Sequence, residues 1–315
     1  MSKDKQKKPS KIRGIVREAW QITAKNRVLH TFGVIAATLT LLVGLVYMLF
    51  RIEYFFPHLV PGLSFFSLEN LFYYLTYYPS LTLAFLGLAA IVFLAYLTLP
   101  VWCEAALIAT IARIREGQAK DYSFGRASSF GLQSFLPLFE FEALTVVFDI
   151  TRSFTILLLI WRYFGPTLLW QSTPLIIFIL LVIFLISIAL IYSRYNIVLH
   201  HGEVFKSIIK SLTLVTFYLG ETMILLALVL LIGIRTIINF VLVFAVPVGF
   251  VALLSYLVQS LALWLSLLIA IGVGLVVFIF VVRIAAALQI FVTAVWTIAF
   301  LELSSRKDHL LLEEK

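Results

Sequence analysis

Residues 175–192 (LIIFILLVIFLISIALIY) contain no charged side chain and only two polar ones, Ser187 and Tyr192. Water cannot solvate such a run as a surface element, and about 20 apolar residues in a helix cross the ~30 Å hydrocarbon core of a bilayer. Similar runs occur at 30–50, at 81–111, at 213–234 and from 262 to 303. A sixth, at 135–161, is more polar than the others. Composition points the same way: 62% of the 315 residues are hydrophobic, 13% are charged, and the mean hydropathy is +1.07. Soluble domains hold about 45–50% apolar and about 25% charged residues. A soluble fold, a disordered chain and a collagen-like chain are therefore excluded. With one cysteine, Cys103, an intrachain disulfide is excluded as well. The expected fold is all-α: a polytopic transmembrane bundle of about six spans, preceded by an amphipathic interfacial helix.

Charge is concentrated at the start. Residues 1–27 carry nine Lys or Arg against Asp4 and Glu18, and the remaining residues are nearly neutral. The high net charge therefore belongs to one segment and does not point to nucleic acid. Residues 1–10 read as a disordered basic tail. Over 11–29, Ile12, Ile15, Val16, Ala19, Trp20 and Thr23 recur at helical spacing, with Lys11, Arg13, Arg17 and Lys25 between them. That pattern fits a helix lying along the membrane with its basic groups towards anionic head groups, Lys11, Arg13, Arg17, Trp20 and Lys25 being the contact residues. The competing reading is a helix packed on the bundle. The transmembrane domain is assigned to 30–303 and a cytoplasmic tail to 304–315.

The first apolar run is too long for a signal-peptide core and lacks a small-residue cleavage site, so it reads as an uncleaved span. Residues 51–79 hold three prolines and many aromatic residues. Tyr and Trp gather at the membrane–water boundary, so this stretch reads as an outer interfacial segment with a short helix near 67–78. Pro100 is expected to kink the second span. A turn is expected at 162–174. Residues 235–261, broken by Pro247 and Gly249, read as re-entrant or interfacial. With six crossings the inner segments hold 19 Lys and Arg and the outer ones hold three, Arg51, Arg162 and Arg235. This places both termini in the cytoplasm and the protein in a bacterial-type inner (plasma) membrane. The stretches 125–142 and 204–221 show a faint similarity, each leading to a glutamate, at a level that chance supplies.

The stretch Trp20 to Gly33 (WQITAKNRVLHTFG), the inner segment HHGEVFKSIIKSLTLV and the last stretch Ala294 to Leu303 (AVWTIAFLEL) resemble bacterial six-span membrane proteins. Those proteins are similar in style to the membrane domain that precedes the catalytic barrel in some glycerophosphodiester phosphodiesterases. The resemblance implies an all-helical bundle. No such barrel lies within these 315 residues, so phosphodiesterase activity is not carried over.

The sequence contains no phosphate-binding glycine loop, zinc helix or nucleophile elbow. His200 and His201 are adjacent and point about 100° apart on a helix, so they cannot chelate one metal. No metal, cofactor or enzymatic activity is expected. What remains is a set of charges assigned to membrane depth: Glu104, Glu140, Glu142, Asp149, Arg152, Glu221 and Arg283. Each costs about 2.5–3.5 kcal/mol at the centre of a lipid-facing helix, so each should face protein or water. Glu142, Thr145, Asp149 and Arg152 fall on one helical face, and Asp149 can pair with Arg152. Further along from Arg283, Gln289, Thr293 and Thr297 recur at four-residue steps. Two readings follow. The charges either pair and fix helix register, for example Arg283 with Glu221 or Glu104, or they line the polar path of a small transporter or channel. The leading expectation is a non-enzymatic envelope protein acting through lipid or partner-protein contacts.

Overall fold

The computed structural model describes residues 11–55, 68–117, 123–148, 150–234 and 263–313. Among these the chain is helical and carries no strand. The helices are α1 (Lys11–Lys25), α2 (Arg27–Phe55), α3 (Leu68–Tyr77), α4 (Pro79–Arg115), α5 (Phe124–Gln133) and α6 (Phe135–Thr145), then a 3-10 turn at Val146–Phe148. They continue with α7 (Ile150–Leu190), α8 (Ser193–His200), α9 (Val204–Phe217), α10 (Leu219–Ile234) and α11 (Leu263–Glu313). Among the described residues, four helical stretches are long and apolar enough to cross a membrane: Arg27–Gly44, Pro79–Arg115, Trp170–His200 and Gly274–Arg306. The bent pair α9–α10 makes a fifth if it is one span. The protein is an all-α membrane protein.

Several boundaries differ from the sequence reading. The run 135–161 is not one helix. The 11 residues of α6 rise about 16 Å, half a bilayer core, and the 3-10 turn separates them from α7. The turn expected at 162–174 shrinks to a single non-helical residue, Gly165 (φ 78°, ψ 170°), with helix on both sides. Glycine alone adopts that backbone without strain. The fifth run is broken at Tyr218, and the expected helix over 11–29 is interrupted at Asn26. The tail expected at 304–315 is largely helical, because α11 runs to Glu313. Its 51 residues rise about 76 Å, far more than one crossing needs. The basic tail 1–10 and the segment 235–261 lie outside the described residues.

Contacts divide the chain into two compact units, Thr38–Val215 and the pair of segments Met1–Ala37 and Thr216–Lys315. In the first, α4 changes character along its length. No residue from 83 to 102 is buried, whereas Cys103 and residues 105–112 all are. The buried stretch is rich in alanine, so α5 can lie close against it. A Cβ on Gly131 of α5 would sit 2.8 Å from both the Trp102 carbonyl oxygen and Ala106 Cβ. Trp102 Nε1 donates to the Ser128 carbonyl across the same contact (3.3 Å), and the Arg113 guanidinium lies 3.4 Å over the Phe130 ring. Leu138 and Phe141 of α6, Tyr195, Ile197 and Val198 of α8 and Val204 of α9 are also buried.

The break between α7 and α8 at Ile191 and Tyr192 is stabilised by one hydroxyl. Ser211 Oγ donates to the Ala189 carbonyl (2.6 Å) and accepts from the Tyr192 amide (3.1 Å). Backbone groups freed inside a packed core must find such partners. Asn196 Nδ2 donates to Ser207 Oγ (2.8 Å), which fastens α8 to α9.

In the other unit, α1 packs on α11. Ile15, Ala19, Ile22 and Thr23 are its buried side. On α11, Ala286, Ile290, Ala294 and Ile298 form a buried stripe at helical spacing. Thr293 and Thr297 are buried too, and Thr297 Oγ1 donates to the Thr293 carbonyl (2.7 Å). The junction of α1 and α2 is held by Asn26 Nδ2 donating to the Ile22 carbonyl (2.7 Å) and by His30 Nε2 at 3.0 Å from the Thr23 carbonyl oxygen.

Because backbone and Cβ atoms close off the space at Gly131, Gly131→Val is expected to destabilise the protein by about 1–3 kcal/mol. The thermal midpoint in detergent reads this. Gly87→Val, where nothing lies within 4 Å, should leave the midpoint nearly unchanged.

Candidate functional site

Buried apolar helices become specific only where their few charges meet. In the α4–α8 unit three helices contribute one charge each. Glu104 follows Cys103 on α4, Glu142 lies on α6, and Arg194 is the second residue of α8. Arg194 Nη1 donates to Glu104 Oε1 at 2.6 Å, and Arg194 Nη2 lies 3.4 Å from Glu142 Oε1. The planar guanidinium suits this role, because its two ends can serve carboxylates on different helices while lysine offers a single point charge. The side chains are 36%, 19% and 33% exposed for Arg194, Glu104 and Glu142, so the cluster stands at the edge of the core. Buried Tyr192 and Tyr195 flank it in sequence.

The other unit holds a similar arrangement. Arg306 Nη1 lies 3.2 and 3.3 Å from the two carboxylate oxygens of Glu221 on α10. Arg306 Nη2 donates to Glu302 Oε1 at 2.9 Å, one turn back on α11. In both clusters one arginine joins carboxylates from separate helices. The stretches 125–142 and 204–221 also share a form, a short helix broken from an apolar helix that carries the glutamate.

The pairings differ from those expected. Glu104 meets Arg194, and Glu221 meets Arg306; neither is assigned to Arg283, whose side chain is exposed on α11. Glu140 is exposed on α6 and lies apart from the cluster. Asp149 lies outside the described residues, as does the side chain of Arg152, so their pairing is not part of the described site. Sequence reasoning missed Arg194, Arg306 and Glu302. It counted both arginines as loop charges that set orientation. One signal was present: Arg194 comes two residues after a charge-free apolar run, at the depth where such a run ends.

On α1 the apolar side is taken up by α11, as the packed-helix reading has it. The other sides expose Arg13, Arg17 and Lys25, and Trp20 at the border with α11; the side chain of Lys11 lies outside the described residues. Trp20 is 63% exposed yet rests edge-on against Phe291, with ring centroids 6.0 Å apart. Among the described residues, no three His, Cys, Asp or Glu side chains gather as metal ligands would. Compared with protein-family models, curated proteins and solved structures, the chain matches none.

The unequal distances around Arg194 set an expected ranking. A double-mutant cycle with Glu104→Gln and Arg194→Gln should give a coupling of about 1–2 kcal/mol, and the Glu142→Gln cycle less than about 0.5 kcal/mol. Thermal midpoints of the detergent-solubilised variants measure both.

Proposed function

We propose that this protein resides in a bacterial-type inner (plasma) membrane with both termini in the cytoplasm. Its role is non-enzymatic and is exerted through contacts with anionic lipid head groups or partner proteins on the cytoplasmic side. The observation that carries this reading is the geometry of α1. Its apolar side is already satisfied by α11, so Arg13, Arg17, Trp20 and Lys25 are presented on a pre-ordered helix. Basic residues near a membrane surface each contribute about 1 kcal/mol of attraction to anionic lipid, and an exposed Trp suits the head-group layer. The 19-to-3 distribution of Lys and Arg supports the orientation. The kinship in style with the membrane domain of glycerophosphodiester phosphodiesterases is part of the same proposal.

The carboxylates expected to line a transport path, Glu104, Glu142 and Glu221, are engaged by arginines. That supports a structural role for them and weakens the transporter alternative.

Contact made by charge, with the apolar side already occupied, must be sensitive to salt. A fluorophore on Ala24→Cys, an exposed position, should be quenched more strongly by a head-group quencher in phosphatidylglycerol vesicles than in phosphatidylcholine vesicles. The excess should disappear at high salt and in the Arg13→Gln, Arg17→Gln, Lys25→Gln variant. An excess that persists in that variant contradicts the proposal.

A further inference from the structure

The two long helices of the α4–α8 unit can be used as rulers. Residues 83–91 of α4 are exposed at every position, so for two and a half turns no face of the helix meets protein. Leu83, Phe85, Leu88 and Ile91 are among them. On α7 no residue from 170 to 187 is buried, and Leu175, Phe178, Leu181 and Leu185 are exposed. Among the described residues, α4 packs on α3, α5, α6 and α8 rather than along α7. The α4 shaft needs an apolar solvent on all sides, and the α7 shaft on all but the half-buried face that carries Ile176, Leu180, Ile183 and Ser187.

Both shafts end in the same way. Above α4 lies α3, where Phe72, Tyr73, Tyr74 and Tyr77 are exposed, as is Tyr78 between the two helices, and the rings of Tyr73 and Tyr77 lie 4.6 Å apart. The junction is tied by the Thr82 hydroxyl, placed 3.0 Å from the Tyr74 carbonyl oxygen and 2.9 Å from that of Tyr78. On α7 the exposed aromatic residues on either side of the Gly165 break are Tyr163 and Trp170. At their other ends lie Glu104 on α4 and, just past α7, Arg194 on α8, which touch at 2.6 Å. Counted at helical rise, Tyr78 to Glu104 is about 39 Å, and Trp170 to Arg194, through the short break at Ile191 and Tyr192, about 36 Å. Two independent helices thus place an aromatic end at nearly the same distance from one shared charge cluster. A bilayer offers ~30 Å of hydrocarbon and about 40–45 Å with its interfaces.

We infer that this unit is held in the bilayer by α3 and Trp170 in one head-group layer and by the Glu104–Arg194–Glu142 cluster in the opposite one. Only apolar shaft lies between them. A cluster at the midplane would leave about half of each shaft, including Leu81, Leu83 and Phe85, standing in water on the aromatic side. Placed at the interface, the partly exposed carboxylates and guanidinium meet lipid head groups and water instead of acyl chains, and no charge of the cluster is desolvated by hydrocarbon. The cluster, assigned to membrane depth by sequence, is then a head-group-level clamp. This inference does not depend on the reading of α1.

The test is a depth profile along α4 in vesicles of phosphatidylcholine and phosphatidylglycerol. Spin labels are placed one at a time at Tyr77, Leu81, Leu83, Leu88, Ile91, Leu94 and Leu97, all exposed. Cys103, buried, stays in place, and labelled wild type serves as the blank. The ratio of oxygen to aqueous nickel-chelate collisions should peak at Leu88 to Ile91 and fall towards both Tyr77 and Leu97. A ratio still rising at Leu97, with Leu81 and Leu83 open to the nickel chelate, would overturn the inference.

Discussion

An arginine shared between carboxylates on separate helices is the constraint around which each unit is organised. Apolar side chains drive helices out of water, but inside a bilayer they do not choose partners, because lipid tails are as apolar as leucine. A charge can choose. Arg194 requires Glu104 and Glu142 at particular places on α4 and α6, and Arg306 requires Glu221 and Glu302. Each arginine therefore fixes which faces meet and at what height, a register that hydrophobic pattern alone leaves open.

Close packing completes what the charges begin. The alanine-rich half of α4 admits α5 at Gly131, and the stripe of Ala286, Ile290 and Ala294 admits Gly33 of α2, whose Cβ would meet Ile290 Cδ1 at 2.7 Å. Helices in lipid associate by such small-residue contacts. Breaks in the helices are treated with equal economy: Ser211 serves both sides of the α7–α8 junction, and Asn26 and His30 serve that of α1 and α2. Packing is uneven along α4 and α7, dense near the charge cluster and sparse along the shafts. A soluble protein could not tolerate that distribution, and a membrane protein can, because lipid replaces the missing neighbours.

The class of fold was legible from hydropathy, since a charge-free run such as 175–192 has few alternatives. The short helix near 67–78 followed from composition and the apolar side of α1 from period, but that α11 covers this side, through the stripe Ala286, Ile290, Ala294 and Ile298, was not legible. The break at Val146–Phe148 was not legible, because no glycine or proline marks it, whereas the turn expected at 162–174 was legible but is shorter than expected: helix closes in on Gly165 from both sides. The ion pairs were only half legible. Glu104, Glu142 and Glu221 stood out as charges among apolar residues, but their partners sat at helix ends, where the positive-inside pattern already explained a basic residue. Pairing is a three-dimensional fact, with Arg194 lying 90 positions from Glu104. Only counting helical rise from the aromatic ends would have put those two at one level.

The claim that Arg194 joins α4, α6 and α8 is tested most directly by hydrogen exchange, peptide by peptide, on wild type and Arg194→Gln in nanodiscs. Exchange should quicken in the variant over 103–112, over α6 and over α8, while α1 and the stretch 286–298 of α11 keep their protection. Unchanged exchange at those three sites, or an equal rise throughout the chain, would contradict it.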